Sequence, residues 1–432
     1  MIDLFSNNFK KKINNLVPLS NNFVLGLSGG TDSMALLHLL NCFLNNNSEL
    51  NINIYVAIID HNLRTSSSDE ARKVHAVSTR LGFKTIIKKI IENKPKGNIQ
   101  SWARFHRRNL LHDTAVEYSA NLLLAHHYDD QVETVFMRLI RGSGIDGLLG
   151  IKESQWWNGI YIIRPLLIFK KEQLKSYVNE NNITFFEDPS NSKLNYERVR
   201  TRKIITIMRD NFWNNISDDL KKFSDLNKKL METINPFFLK WVEENISIEN
   251  TGSIKINYFN LKTLFYNSNL LAIKILGTIL HIVGGNEYSP KKKKTLHLLL
   301  SIFKFPFKNK SLGNVTVYLE EKFLFFIREQ RNISFNKEIK ENNYYVFDGR
   351  FLLISNVAGK LIKNTRNYFN QDNRDKTFYK YRNQINNSLP MIETLEGECI
   401  YPYLRVIDNN EFERDNIKDG FFGLYLINRL LL

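Results

Sequence analysis

Up to residue 212, short apolar runs alternate with longer stretches whose apolar positions recur every three or four residues. Residues 23–27 (FVLGL) have strand length, and the MALLHLLNCFL that follows a glycine-rich turn has helical spacing. Residues 52–59, rich in β-branched side chains, predict a second strand, and 68–81 a helix that stops at Gly82. Three more strands are expected over 84–91, 121–125 and 160–163, with helices over 99–118 and 129–141 between them. Strands separated by helices of this length pair in parallel through right-handed crossovers. The expected fold class is therefore α/β, with a doubly wound parallel sheet.

The texture changes after residue 212. Residues 218–239, 269–283 and 295–303 have helical spacing, and from Gly313 onward the pattern is β-rich. VTVYLEEKFLFFI predicts a hairpin, and YYVFDGRFLLIS carries an Asp-Gly turn between apolar runs. No internal repeat is visible. Three units are expected: an α/β unit over 1–212, a helical one over 213–308 and a β-rich one over 309–432.

Charge and composition narrow the function. Lys plus Arg number 60 against 44 Asp plus Glu, a net charge of +16. Sustained positive charge of this size points to a polyanionic partner, phosphate backbones being the commonest. An apolar fraction of 43% with 30 Phe excludes a chain disordered throughout. Cys42 and Cys399 are the only cysteines, which excludes a disulfide scaffold and a four-cysteine zinc site and suits a reducing compartment. No stretch reaches the roughly 18 uncharged apolar residues of a membrane span. The best, 270–283, is interrupted by Lys274, and the basic start MIDLFSNNFKKKINN leads into no long apolar run. A cytoplasmic protein with no membrane partner is expected.

The strongest local signal is Ser28-Gly29-Gly30-Thr31-Asp32-Ser33, set between a predicted strand and a predicted helix. Free backbone N–H groups and the positive end of the helix dipole meet there, and glycines let an anion approach closely. No lysine follows, so this is not the GxxxxGK[ST] loop. Asp32 makes sense in an anion site mainly when a divalent cation bridges it to phosphate; the plain alternative is a glycine turn with an N-cap. A second cluster, AHHYDDQVET at 125–134, falls where the fourth strand gives way to a helix, at the sheet edge where ligands bind. Asp130 and Glu133 are three apart and share a helix face, so both can turn to a metal or a cationic substrate. His126 and His127 would suit zinc, but magnesium takes oxygen ligands and goes with phosphates. Carboxylates favoured in a helix's first turn would explain Asp129 or Asp130 without any ligand. Arg104, Arg107 and Arg108, interleaved with Trp102 and Phe105, and Arg198, Arg200 and Arg202 form two basic clusters suited to phosphate. The lysine runs at 10–12 and 291–294 are read first as solvated charge, with RNA backbone contact as the sharper alternative.

SGGxDS after a first strand resembles the pyrophosphate-binding loop of the N-type ATP pyrophosphatases. The string AHHYDDQVETVFMRLIRGSGIDGLLGI resembles the AHHxxDQxET…RGSGxxGLxGM segment of the tRNA(Ile)-lysidine synthetase family within that superfamily. Asp60-His61-Asn62-Leu63-Arg64 is similar to its DHxLR element, with Asn62 where Gly is usual. Ala103–Arg107 is similar to ARxxR, and Ile162–Leu167 to xIRPLL. Glu187-Asp188-Pro189-Ser190-Asn191 with Arg198 and Arg202 resembles EDxSNxxxxxxRNxxR, with Val199 in place of Asn. The matches run from residue 23 to 202; the C-terminal half is similar only in layout and in pieces such as IETLEGECIYPYL.

The resemblance implies an adenine nucleotide alpha hydrolase-like fold, with Ser28, Gly29, Gly30, Thr31, Asp32 and Ser33 holding the phosphates of ATP and Asp32 as the residue nearest Mg2+. It implies that Asp130 and Glu133 grip free lysine or the metal, that Arg104 and Arg202 belong to the active site, and that Asp60, His61, His126 and His127 support the cleft. The implied reaction converts the wobble cytidine of an isoleucine tRNA with a CAU anticodon to lysidine. The units at 213–308 and 309–432 would hold the tRNA, and two chains could pair through the α/β unit. The rivals are a thiolase or a glutaminase-dependent amidotransferase of the same superfamily, and a non-catalytic RNA-binding protein on the same scaffold.

Overall fold

The computed structural model describes residues 7, 9–11, 13, 21–47, 49–63, 67–95, 97, 99–186, 196–249, 251–286, 288–341, 343–355, 357–365 and 379–401. Arg64, Glu187-Asp188-Pro189-Ser190-Asn191, Lys12 and the expected strands beyond residue 401 lie outside them. The chain divides into two compact units, Met1–Thr233 and Ile234–Leu432.

The first unit carries the expected parallel sheet. Its strands are β1 (Asn22–Leu27), β2 (Asn53–Asp60), β3 (Lys84–Lys89), β4 (Asn121–Leu123), β5 (Ser154–Trp157) and β6 (Ile160–Ile163). Their spatial order is β3-β2-β1-β4-β6-β5, parallel throughout except for β5 against β6. The intervening helices are α1 (Thr31–Asn45), α2 (Ser67–Arg80), α3 (Ile99–Glu117), α4 (Tyr128–Ile140), the short α5 (Ile145–Leu148), α6 (Lys171–Glu180) and α7 (Glu197–Asn211). β1 is buried on both faces, its alternate residues entering two different cores. Phe23, Leu25 and Leu27 join a core with Met34, Leu36 and Leu40 of α1, while Val24 joins a second core with Leu111 and Ala115 of α3.

β5 was not expected. SQWW has no apolar alternation, but it lies at the sheet edge and pairs back on β6 through Asn158 and Gly159, with φ of 48° and 90°. The strand order reverses between β1 and β4, because the chain leaves β1 outward to β2 and β3 and returns on the other side. A crevice at the carboxyl ends of the strands forms at such a switch point, and both sequence clusters follow strands that flank it.

A long helix, α8 (Ile216–Asn245), runs through the division between the units. The second unit then holds β7 (Ile246–Ile248), β8 (Ile254–Asn257), α9 (Tyr258–Asn267), α10 (Asn269–Val283), α11 (Lys292–Ile302), β9 (Lys310–Leu312), β10 (Val315–Glu320) and β11 (Phe323–Arg328). It continues through β12 (Asn336–Ile339), β13 (Asn343–Phe347), β14 (Phe351–Ser355), β15 (Gly359–Lys363), α12 (Arg382–Asn386), β16 (Pro390–Thr394) and β17 (Cys399–Ile400). The strands form antiparallel sheets of five (β7-β8-β11-β10-β9), four (β12-β15-β16-β17) and two strands (β13-β14). Both expected hairpins are present, β10–β11 and β13–β14, the latter turning on Asp348 and Gly349 at φ 50° and 64°. The helical segment and the β-rich segment share one core: Ile275, Leu276 and Leu299 of the helices pack with Phe325, Phe347, Leu361 and Ile392 of the strands.

Candidate active site at the sheet switch point

The loop after β1 is shaped by a glycine and a serine. Gly29 has φ +81°, and a Cβ there would lie 2.5 Å from Val74 Cγ2, so no side chain fits. Gly30 has an extended backbone at the N-cap of α1, and a Cβ there would meet nothing nearer than Ser28 Oγ at 3.9 Å. Ser33 is buried; its hydroxyl donates to the Gly30 carbonyl at 3.0 Å and accepts from the Ser28 amide at 3.3 Å. The loop is thus tied back on itself, while the first-turn amides of α1 have no intrahelical acceptor and face the switch point.

Asp32 lies in that first turn, with its Oδ2 3.5 Å from Nε2 of His127 at the start of α4. Its Oδ1 is buried and accepts no hydrogen bond. His127 joins the two sequence clusters: Nε2 is also 3.5 Å from Asp130 Oδ2, and Nδ1 is 3.5 Å from Asp129 Oδ2. Burial would lower its pKa, but Asp129, Asp32 and Asp130 outweigh burial and raise it to about 10, so the imidazolium offsets three carboxylates. The neighbouring His126 goes the other way. Burial first, then the charges of Arg164, Arg198 and Arg104, hold it neutral with a pKa of about 3 against the pull of Asp130.

Asp130 accepts the His127 amide at 3.0 Å, which caps α4, and its other oxygen is 3.3 Å from Arg198 Nη2. Glu133, one turn on, is buried with both oxygens occupied, by Arg198 Nε at 2.9 Å and Arg202 Nε at 2.7 Å. Arg198 and Arg202 are four apart on α7, so one helix face delivers both guanidinium groups. The structure therefore brings Asp32, His126, His127, Asp130, Glu133 and Arg202 together, with Arg104 near enough for its charge to act on His126.

Asp60 turns to its own loop instead. It accepts from the Asn62 amide at 2.8 Å and the Ser68 hydroxyl at 2.6 Å, fixing the turn into α2 that carries His61. Asn62 has φ +51°, which accounts for Asn where a glycine is usual.

Sequence reasoning missed three residues. Gln131 accepts the Ile151 amide and donates to the Leu149 carbonyl at 3.2 Å. Arg138 donates to the Gly147 and Gly150 carbonyls at 2.8 and 2.9 Å. The RGSGIDGLLG string is thus braced from α4, and the signal was the shared string itself, read only for its carboxylates. Arg164, just beyond β6, is 8% exposed and donates Nη1 to the Lys152 carbonyl at 2.7 Å. Its signal was a charged residue closing an otherwise apolar strand.

Residues 4–208 match the model of the PP-loop domain family. The chain is 28% identical to the tRNA(Ile)-lysidine synthase of Orientia tsutsugamushi over 88% of each chain, and 29% identical to that of Rickettsia akari over 93% of this chain and 94% of the relative. Among solved structures it is similar to a U34-tRNA thiolase from Methanococcus maripaludis bearing a [4Fe-4S] cluster, with a TM-score of 0.45 and 18% identity over 52% of this chain and 80% of that one. A PP-loop match over the switch-point unit and a likeness to these synthases along nearly the whole chain agree with the loop geometry: the chain is an enzyme with an ATP-binding PP-loop domain, similar along nearly its whole length to the tRNA(Ile)-lysidine synthases.

Proposed function

We propose that the chain ligates free lysine to C2 of the wobble cytidine of an isoleucine tRNA with a CAU anticodon. The C2 oxygen attacks the α-phosphorus of ATP and pyrophosphate leaves. The ε-amine then attacks C2, loses a proton, and AMP departs with the former C2 oxygen. Adenylation is needed because the C2 oxygen is a poor leaving group, and the amine, of pKa about 10.4, must be deprotonated before it attacks.

The observation that carries this reading is the buried, unpartnered Oδ1 of Asp32 at a helix N-terminus on the sheet switch point. An acceptor-only carboxylate oxygen beside an anion-binding turn fits Mg2+ held jointly with phosphate oxygens. Among the described residues no group of three His, Cys, Asp or Glu could cage a metal alone, as suits an ion that arrives on its nucleotide. Bound there, Mg2+ would neutralise charge on the leaving pyrophosphate. The loop 28–33 receives the phosphates, His127 holds Asp32 and Asp130 in register, and Glu133 keeps Arg198 and Arg202 over the cleft. The net charge of +16 and the exposed Phe105 beside Arg104 support an RNA substrate whose base is splayed into the cleft. Residues beyond 213 contribute tRNA affinity in this reading.

Sulfur transfer has little support. Cys42 lies inside α1 with its sulfur 3.7 Å from His38 Nδ1, and Cys399 belongs to the other unit.

The test is incorporation of radiolabelled lysine into a CAU-bearing isoleucine tRNA transcript, with AMP release followed in parallel. Label is expected in the tRNA, and Asp32→Ala should lower the rate by about a hundredfold or more, the usual scale for losing an electrostatic anchor of the transition state. AMP formed without label in the tRNA would discard lysine as the nucleophile.

A further inference from the structure

We propose that Arg164 binds an oxyanion of the reactants, the α-carboxylate of the amino acid or a phosphate of the nucleotide, at a position separate from the loop 28–33. This rests on the ligase reading and adds a binding residue to it. Arg164 follows β6 at the carboxyl edge of the sheet, where its amide donates to the Glu153 carbonyl at 2.8 Å. The Leu124 amide donates to the Ile163 carbonyl at 2.9 Å, which sets Arg164 beside the 125–127 turn. Two strand spacings, roughly 10 Å, separate the end of β6 from that of β1, so the loop and Arg164 are distinct places on one crevice.

The side chain is held ready but left incomplete. Nη1 is fixed by the Lys152 carbonyl, while Nε is buried with no acceptor, and no carboxylate pairs with the guanidinium among the described residues. An always-charged fork of five donors is costly to bury without an anion. The carboxylates of the neighbouring α4 turn are committed elsewhere, Glu133 to Arg198 and Arg202, and Asp130 to His127 and Arg198. Arg104 adds positive charge to the same region, and His126 remains neutral within it. This region is thus short of an anion, and a planar fork takes a carboxylate or phosphate with two parallel hydrogen bonds.

The test is Arg164→Gln in the full chain. ATP binding is read by calorimetry, lysine binding in the presence of a non-hydrolysable ATP analogue, and ligation by label incorporation. Gln keeps a polar amide of part of the length but carries no charge and no fork. Affinity for one reactant should fall about tenfold or more, the scale of a charge-assisted pair, and the other should barely change. The unfolding midpoint of the ligand-free protein should stay level or rise, because an unpaired buried charge is gone. Weakened ATP binding assigns the phosphate. Weakened lysine binding assigns the carboxylate, and cadaverine, which lacks one, should then bind wild type and variant alike. Unchanged affinity for both reactants overturns the proposal, as does a general loss of binding with a lowered midpoint, the mark of a structural brace. Should Gln prevent folding, Arg164→Lys keeps the charge and loses the fork; the same selective weakening is expected, and unchanged affinity overturns the proposal. A wild-type chain that binds neither reactant removes the ligase reading itself, and this proposal with it.

Discussion

Each unit contains a cluster of buried charge, and the two are closed to different degrees. In the second unit, Arg328 pairs with Asp348 through two bonds of 2.9 and 2.7 Å and also donates to the carbonyls of Asn314 and Glu329. Arg350 donates to Asp348 at 2.7 Å and to the Ser388 carbonyl. Asp348 sits in the β13–β14 turn, so the cluster fastens that hairpin to its neighbours. In the first unit, Asp32 Oδ1, Arg164 Nε and His126 Nδ1 are buried without hydrogen bonds. Buried polar groups are ordinarily satisfied, so a closed network marks a brace and an open one marks a place for a ligand.

The comparison breaks most sharply at Asp348. Asp348→Ala strands two buried guanidinium groups and should cost about 3–5 kcal/mol of unfolding free energy, as breaking a buried pair does. Denaturant titration of the full chain measures it. A loss under 1 kcal/mol would mean the second cluster is as open as the first.

A smaller effect separates two adjacent glycines. Gly29→Ala must accept φ +81° and a 2.5 Å approach to Val74, and should cost about 2–4 kcal/mol. Gly30→Ala has ordinary φ and room for a methyl group, and should cost below about 1 kcal/mol through its cap position alone. Equal costs would show that the loop's shape does not depend on the left-handed residue.

The most gradual effect is in pH. His126 is neutral when folded, with a pKa of about 3 against about 6.5 when unfolded, so the unfolded chain binds the extra proton between those values. Ligand-free stability should fall as pH drops from about 6.5 toward 3, with a slope from this residue no steeper than about 1.4 kcal/mol per pH unit. His126→Gln should flatten that part of the profile. An identical profile would mean that the open cluster carries water enough to protonate the ring.

Much of the fold was legible because the parallel sheet writes itself into the sequence. Apolar runs of strand length and helices of 3.6-residue period recur from residue 23 onward, and glycine marks the loop between β1 and α1. The antiparallel strand β5 was not, since edge strands need no apolar alternation. α9 and the β7–β8 hairpin were also missed; they are short, and their apolar residues serve a core shared with distant strands. For the site, spacing alone put Asp130 and Glu133 on one face, and Arg198 does reach both, but their remaining partners differ. Asp130 faces His127, whereas Glu133 is enclosed by arginines arriving from α7, more than sixty residues away.

The sequence by itself determined the strand–loop–helix that presents Ser28 to Ser33, because backbone periodicity, glycine placement and helix ends are local properties. Only the tertiary structure decided which charges are compensated. Pairing depends on distances between side chains far apart in the chain, and burial removes the water that would otherwise satisfy whatever is left. Asp60 became a turn anchor, Glu133 a clamp for two arginines, and Asp32 and Arg164 were left open for the same reason.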